Sequence, residues 1–150
     1  MVNGDGEDFS VQRKVGRRGG RVGTLAAATA LACLWPLAPV AAQQGNAADG
    51  AEVFKKCRAC HDVGPEAKNK VGPMLNDLIG RIAGTVPQFA YSEANKAAGA
   101  KGLTWSEESL SKYLEDPRAF MPGTKMAFAG LRDPQDRSDL IAYLKTFSKK

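Results

Sequence analysis

The run Cys57-Arg58-Ala59-Cys60-His61 constrains this chain more than any other feature, because His61 is its single histidine. Two thiols three positions apart beside one imidazole serve few purposes. A structural zinc site needs four Cys/His ligands, and the chain beyond residue 42 offers three, with adjacent Cys60 and His61 awkward for tetrahedral ligation. A thioredoxin-like redox pair sits at a helix start after a β-strand, and no strand pattern precedes Cys57. A plain Cys57–Cys60 disulfide would leave a small, loop-rich domain without a core. What remains is the pattern by which haem is attached covalently. The thiols reach the two vinyl groups of one porphyrin as thioethers, and the neighbouring imidazole faces the iron as an axial ligand.

Residues 1–42 read as an export segment. Arg13, Lys14, Arg17, Arg18 and Arg21 precede a stretch from Val22 to Ala42 that carries no charge. Pro36 and Pro39 interrupt it, whereas a spanning helix wants roughly 20 unbroken apolar residues. Val40-Ala41-Ala42 has the small-residue spacing of a signal-peptidase site, which places cleavage after Ala42. Three alternatives stand beside cleavage of a signal peptide. An uncleaved segment would anchor the domain to a membrane. Acylation at Cys33 is disfavoured by the apolar Leu34, Trp35 and Leu37 that follow it. Twin-arginine export through Arg17-Arg18 is disfavoured by Gly19-Gly20. The acids Asp5, Glu7 and Asp8 sit oddly ahead of such a segment and fit a start codon farther downstream.

The leader holds five of the 21 bases and three of the 16 acids, so the formal charge of +5 falls to +3 on the domain of residues 43–150. Bases and acids interleave along it, which excludes the concentrated basic stripe of a nucleic-acid binder. A mild positive balance suits steering toward an acidic protein surface.

Helical periodicity alternates with Gly/Pro-punctuated loops and no β-alternation of useful length occurs, so the fold class is all-α. The spacing of Val53, Phe54 and Cys57 predicts a first helix from Asp49, as N-cap, to about Cys57. A long loop runs from Asp62 to about Pro73. Leu75, Leu78, Ile79 and Ile82 predict a short helix over 76–82, ended by Gly84 and Pro87. Small residues dominate 97–102. Thr104-Trp105-Ser106-Glu107 fits a capping box for a helix from about Ser106 to Glu115, with Leu110, Tyr113 and Leu114 as its apolar stripe. Asp116-Pro117 stops it. The last helix shows Leu140, Tyr143, Leu144 and Phe147 on one face, with Asp136, Asp139, Lys145 and Lys149 on the rest, acids early and bases late as the helix dipole favours. Helices of about ten residues are marginal alone, so the domain needs a further core component, and haem supplies one.

The second axial position falls to a methionine, since no second histidine exists. Met74, Met121 and Met126 are candidates, and spacing alone does not choose among them. Pro122-Gly123 sets a turn that can present the side chain following it inward.

Taken together, Cys57 to His61, Gly72-Pro73, Gly80-Arg81, Tyr91, Asn95, Trp105, Tyr113-Leu114, Pro122 to Met126, Phe128-Ala129-Gly130 and Asp139 to Leu144 resemble class I cytochrome c of the mitochondrial and alphaproteobacterial type, from about Ala48 to Lys150. The resemblance implies a small cytochrome c fold, with helices and loops wrapped around one covalently attached haem c. It implies that Met126 is the sixth ligand opposite His61, with Met74 and Met121 as packing residues, and that the Pro73 carbonyl accepts a hydrogen bond from His61. It further implies that Arg81, Tyr91 and Trp105 bind a haem propionate, and that Asn95, Tyr113 and Thr124 form a polar network near Met126. Gly50 and Phe54 would cross Leu140 and Tyr143, joining the two ends of the domain. Ala97 to Gly102 is slightly longer than in mitochondrial members. Lys55, Lys56, Lys70 and Lys125 form a thinner basic ring, Arg118 replaces a lysine, and Asp133 and Asp136 add acid nearby.

A haem iron held on both sides exchanges electrons without making or breaking bonds, and the soft methionine donor favours its ferrous state. The expected function is a soluble periplasmic electron carrier, not an enzyme. It would shuttle single electrons as a monomer, docking transiently between a quinol-oxidising cytochrome bc-type complex and an oxidase, reductase or photosynthetic reaction centre. Two alternatives compete with it. One is a peroxidase-like enzyme in which Met126 dissociates, which lacks a distal acid–base because the one histidine is proximal. The other is a membrane-tethered electron-transfer module. Sequencing the mature protein from its N-terminus should begin at Gln43; an intact leader on membrane-bound protein would overturn cleavage.

Overall fold

A computed structural model describes residues 44–149. The export segment assigned to 1–42, including Cys33, lies outside the described residues, as does Lys150. Five helices appear: α1 (Ala47–Phe54), α2 (Glu93–Ala100), α3 (Glu107–Glu115), α4 (Pro117–Phe120) and α5 (Pro134–Lys145). Among the described residues there is no strand, only an isolated antiparallel bridge between Ile82 and Thr104. No helix there is long and apolar enough to cross a membrane.

Close packing of α1 on α5 brings the two ends of the domain together. A Cβ at Gly50 would overlap the carbonyl of Asp139 and lie 2.8 Å from Cβ of Tyr143. Absence of a side chain is what lets the backbones meet. Phe54 then packs on Tyr143 with ring centroids 5.4 Å apart, and Val53, Phe54, Leu140, Ile141 and Leu144 are buried in the same core. Helices of eight and twelve residues have little stability of their own, so this seam supplies it.

Several elements differ from the sequence expectation. The first helix starts earlier and ends sooner: Asn46, not Asp49, is the N-cap, accepting from Ala48 N–H, and the helix stops at Phe54, leaving Cys57 to Cys60 in successive turns. Asp139, expected on the surface of the last helix, is 6% exposed. Its carboxylate accepts from the Asn46 N–H at 2.7 Å and from Gln135 Nε2 at 2.8 Å, tying the start of α1 to α5. Phe147 lies beyond the end of α5.

No helix forms over 76–82. Asp77 and Gly80 adopt left-handed conformations, φ +53° and +86°, and the following backbone pairs across the chain. Gly80 N–H donates to Trp105 O, Trp105 N–H to Arg81 O, and Ala83 N–H to Leu103 O, each at 2.9 Å. Amides engaged in that pairing are lost to a helical ladder.

The sequence pattern predicts no helix over 93–100, yet α2 forms there and takes in residues 97–100 of the small-residue stretch. Ser92 caps it by accepting from Asn95 N–H, and a Cβ at Gly99 would overlap the carbonyl of Ala83. Small side chains therefore serve close approach to the 80–83 segment rather than marking a loop. At α3 the cap is Ser106 with Ser109 in the reciprocal role, not Thr104 with Glu107. Asp116 ends α3 and caps the short α4, with Pro117 in its first turn.

Candidate haem site

The turns after α1 deliver Cys57, Cys60 and His61 to one wall of a cavity of about 430 Å³. That size lies within the range of about 300–1,000 Å³ for ligand pockets. Its walls are apolar, with Phe54, Leu78, Leu110, Leu140 and Leu144 among them, and Trp105 closes one side. The charged residues at its lining are Lys56, Arg81 and Lys125, with no carboxylate. An apolar slot bearing two thiols, an imidazole and cations fits a porphyrin with acidic substituents.

His61 is oriented by the loop that follows it. Its Nδ1 donates to the Pro73 carbonyl at 2.7 Å, which leaves Nε2 free to act as a donor to metal. Gly72 makes the approach feasible, since a Cβ there would lie 2.7 Å from both ring nitrogens. Burial lowers the His61 pKa more than the Pro73 hydrogen bond raises it, and the cations Arg81 and Lys70 lower it further. Both effects favour the neutral imidazole, the form that ligates. Burial pushes the Cys57 thiol pKa up, against the opposing effect of Lys56.

Every site residue expected from the sequence lines this one cavity: Cys57, Cys60, His61, Pro73, Arg81, Tyr91, Asn95, Trp105, Tyr113, Thr124 and Met126. Met121 is instead 4% exposed in the core, and Met74 does not line the cavity. Tyr113 Oη lies 3.1 Å from Thr124 Oγ1, and Thr124 Oγ1 accepts from Met126 N–H at 3.3 Å. Asn95 is not joined to that pair, and its buried Oδ1 has no hydrogen-bond partner. An orphaned acceptor in the cavity wall awaits a donor from water or a bound group. Arg81 donates to the carbonyls of Asn76 and Met74, and Tyr91 Oη accepts from Val86 N–H at 3.4 Å. Phe89, which the sequence did not single out, lines the cavity and packs edge-on against Tyr91 at 4.7 Å.

A family model described as Cytochrome c matches residues 47–148. The chain belongs to the cytochrome c family. It is 57% identical over 112 residues to cytochrome c2 of Blastochloris viridis, covering 75% of this chain and 84% of that protein. It is 55% identical to cytochrome c-550 of Ancylobacter novellus over 101 residues, 67% of this chain and 94% of that one. Among solved structures, cytochrome c2 from Rhodospirillum centenum superposes with a TM-score of 0.68 at 50% identity, covering 70% of this chain and all of that one. This cytochrome c accordingly has the small all-α fold of its family and carries one covalently bound haem c, with Cys57 and Cys60 present for the attachment. It is an electron-transfer protein rather than an enzyme.

Gly72→Ala should force the His61 ring away from Pro73. The holoprotein is expected to lose about 1–3 kcal/mol of stability, the usual cost of overpacking. Guanidinium unfolding checks this, and an unchanged midpoint would deny the close approach.

Proposed function

We propose that this chain is an exported one-electron carrier whose haem iron is held between His61 and Met126. The observation that carries the reading is the presence of one imidazole and one thioether in the lining of a single apolar cavity. The bound haem supplies reversible one-electron exchange between ferric and ferrous iron. Everything else is done by the chain. Cys57 and Cys60 fix the group covalently, and the Pro73 carbonyl fixes the imidazole plane. Of the three methionines in the described residues, Met126 is the one on the cavity wall. The Thr124 hydroxyl accepts from its backbone N–H and meets Tyr113 on the other side. Leucine and aromatic side chains exclude water, which keeps reorganisation on electron exchange small. Arg81, Tyr91 and Trp105 would meet the propionates of the haem, and Asn95 offers its unpartnered oxygen to a water or haem-side donor.

In this reading the leader exports the domain to the periplasm, where it either diffuses freely after cleavage or remains tethered. The carrier works as a monomer between a quinol-oxidising bc-type complex and an oxidase, reductase or photosynthetic reaction centre. Basic side chains around the cavity mouth support that docking through brief, electrostatically steered encounters. Lys56 is paired with Asp136 at 3.0 Å and Lys70 lies 3.9 Å from Asp62. Lys125 forms no ion pair among the described residues, which leaves it available to an acidic partner.

Ligation is tested by the visible spectrum of the ferric protein. The weak band near the red end that reports sulfur-to-iron charge transfer should be present in the wild type and absent from Met126→Ala. Its absence from the wild type at neutral pH would remove Met126 from the iron. For docking, Lys125→Glu should slow oxidation of the reduced protein by hexacyanoferrate(III), an anionic acceptor, by about tenfold at low salt, and the difference should fade as salt is added. Equal rates at low salt would count against this face.

A further inference from the structure

Arg81 lines the cavity, and the acceptors of its hydrogen bonds are backbone carbonyls. One guanidinium nitrogen donates to the Asn76 carbonyl at 2.8 Å and another to the Met74 carbonyl at 3.3 Å. Both acceptors belong to residues 73–77, a segment with no helix to hold it. The Asn76 side chain holds it instead. Its Oδ1 accepts from Gly64 N–H at 3.0 Å and its Nδ2 donates to the Gly64 carbonyl at 2.7 Å. One carboxamide thus satisfies both backbone groups of one buried residue twelve positions upstream. Gly64 turns both groups toward Asn76 from a left-handed conformation, φ +109°.

We propose that Asn76 is a positioning residue for electron transfer: by clamping Gly64 it fixes the carbonyl that holds the Arg81 guanidinium toward the haem, and so raises the reduction potential. The inference rests on the reading of Arg81 as a cation beside the haem. A fixed positive charge near the iron favours the ferrous state, which carries one positive charge fewer, and the effect grows as water is excluded. Burial lowers the Arg81 pKa, against the opposing effects of Tyr91 and Asp77, and the guanidinium is held by the two backbone carbonyls. Without the clamp the segment loosens, its carbonyls lose their fixed positions, and the guanidinium turns toward water, where its field is screened. A purely structural asparagine would lower stability when replaced, but would not act on the potential through Arg81.

The test uses the holoprotein and compares midpoint potentials of the wild type, Asn76→Ala, Arg81→Gln and the double variant. Both single variants should shift the potential downward, Asn76→Ala by less, and Asn76→Ala should add no shift in the Arg81→Gln background. Hydrogen exchange at the Gly64 amide should be faster in Asn76→Ala. If Arg81→Gln lowers the potential and Asn76→Ala does not, the inference fails and the reading of Arg81 stands. If Arg81→Gln leaves the potential unchanged, that reading fails and takes the inference with it. An equal drop from Asn76→Ala in both backgrounds would mean general loosening and would also overturn it. Should Asn76→Ala not retain haem, the comparison is made with a less truncating substitution. That second variant, Asn76→Leu, is uncharged, close in size and removes both hydrogen bonds to Gly64, so a drop seen only with Arg81 present supports the inference and an equal drop in both backgrounds overturns it.

Discussion

The hydrogen bond from His61 to the Pro73 carbonyl sets a requirement that much of the fold exists to meet: a carbonyl twelve residues downstream must lie 2.7 Å from a ring nitrogen. The intervening loop has no helix of more than a turn, so its position depends on individual hydrogen bonds. Gly72 N–H donates to the Cys60 carbonyl and Leu75 N–H to that of Asp62, closing the loop at its neck. Asn69 accepts from Met74 N–H and donates to the Pro87 carbonyl, joining this loop to the one that carries Tyr91. Backbone groups that would otherwise be orphaned near an apolar cavity are satisfied by these contacts. The loop is therefore as fixed as a helix would be, and it leaves the imidazole one orientation.

Around that loop the helices act as walls. The seam at Gly50 brings the chain ends together, and its buried residues Phe54, Leu140 and Leu144 are also cavity residues. One set of side chains thus serves as helix interface on one side and as haem lining on the other. This couples stability to cofactor: the cavity is a gap in the middle of the core, and a core with a gap forfeits dispersion contacts and apolar burial. A covalently attached group filling it restores both. Short helices that would be marginal alone become stable as parts of one enclosure.

The attachment motif and the apolar stripes of α3 and α5 were legible because they depend on local spacing. All the site residues drawn from the family resemblance converge on one cavity, although composition and periodicity alone left Met74, Met121 and Met126 unresolved. What the sequence hid was set by tertiary partners. Over 76–82 the apolar spacing was helical, yet Gly80, Arg81 and Ala83 pair with 103–105 through their backbones. At 97–102 small residues gave no helical signal, because nothing local reveals that Gly99 must sit against the Ala83 carbonyl. Asp139 looked like a surface acid until the Asn46 amide, 93 residues away, was seen to bury it. Asn76, read as part of a helix, owes its position to Gly64, a contact no periodicity encodes.

Charge placement completes the link from fold to function. The cavity lining holds cations and no carboxylate, so the acidic substituents of a porphyrin meet favourable charge inside while lysines face outward at the mouth. Their surroundings differ. Asp136 at the start of α5 draws off Lys56, and it does so because α1 and α5 cross; the same seam that closes the cavity brings an acid to the docking face. Lys125 follows the Pro122-Gly123 turn and sits beside Met126 in sequence, away from that acid. Exposed ion pairs contribute little stability, so the Lys56–Asp136 contact matters less for holding the fold than for the field outside it. The positive potential at the mouth is weakened on the Lys56 side and kept on the Lys125 side. In the proposed docking, an acidic partner would meet the uncompensated charge of Lys125 next to Met126 in the chain.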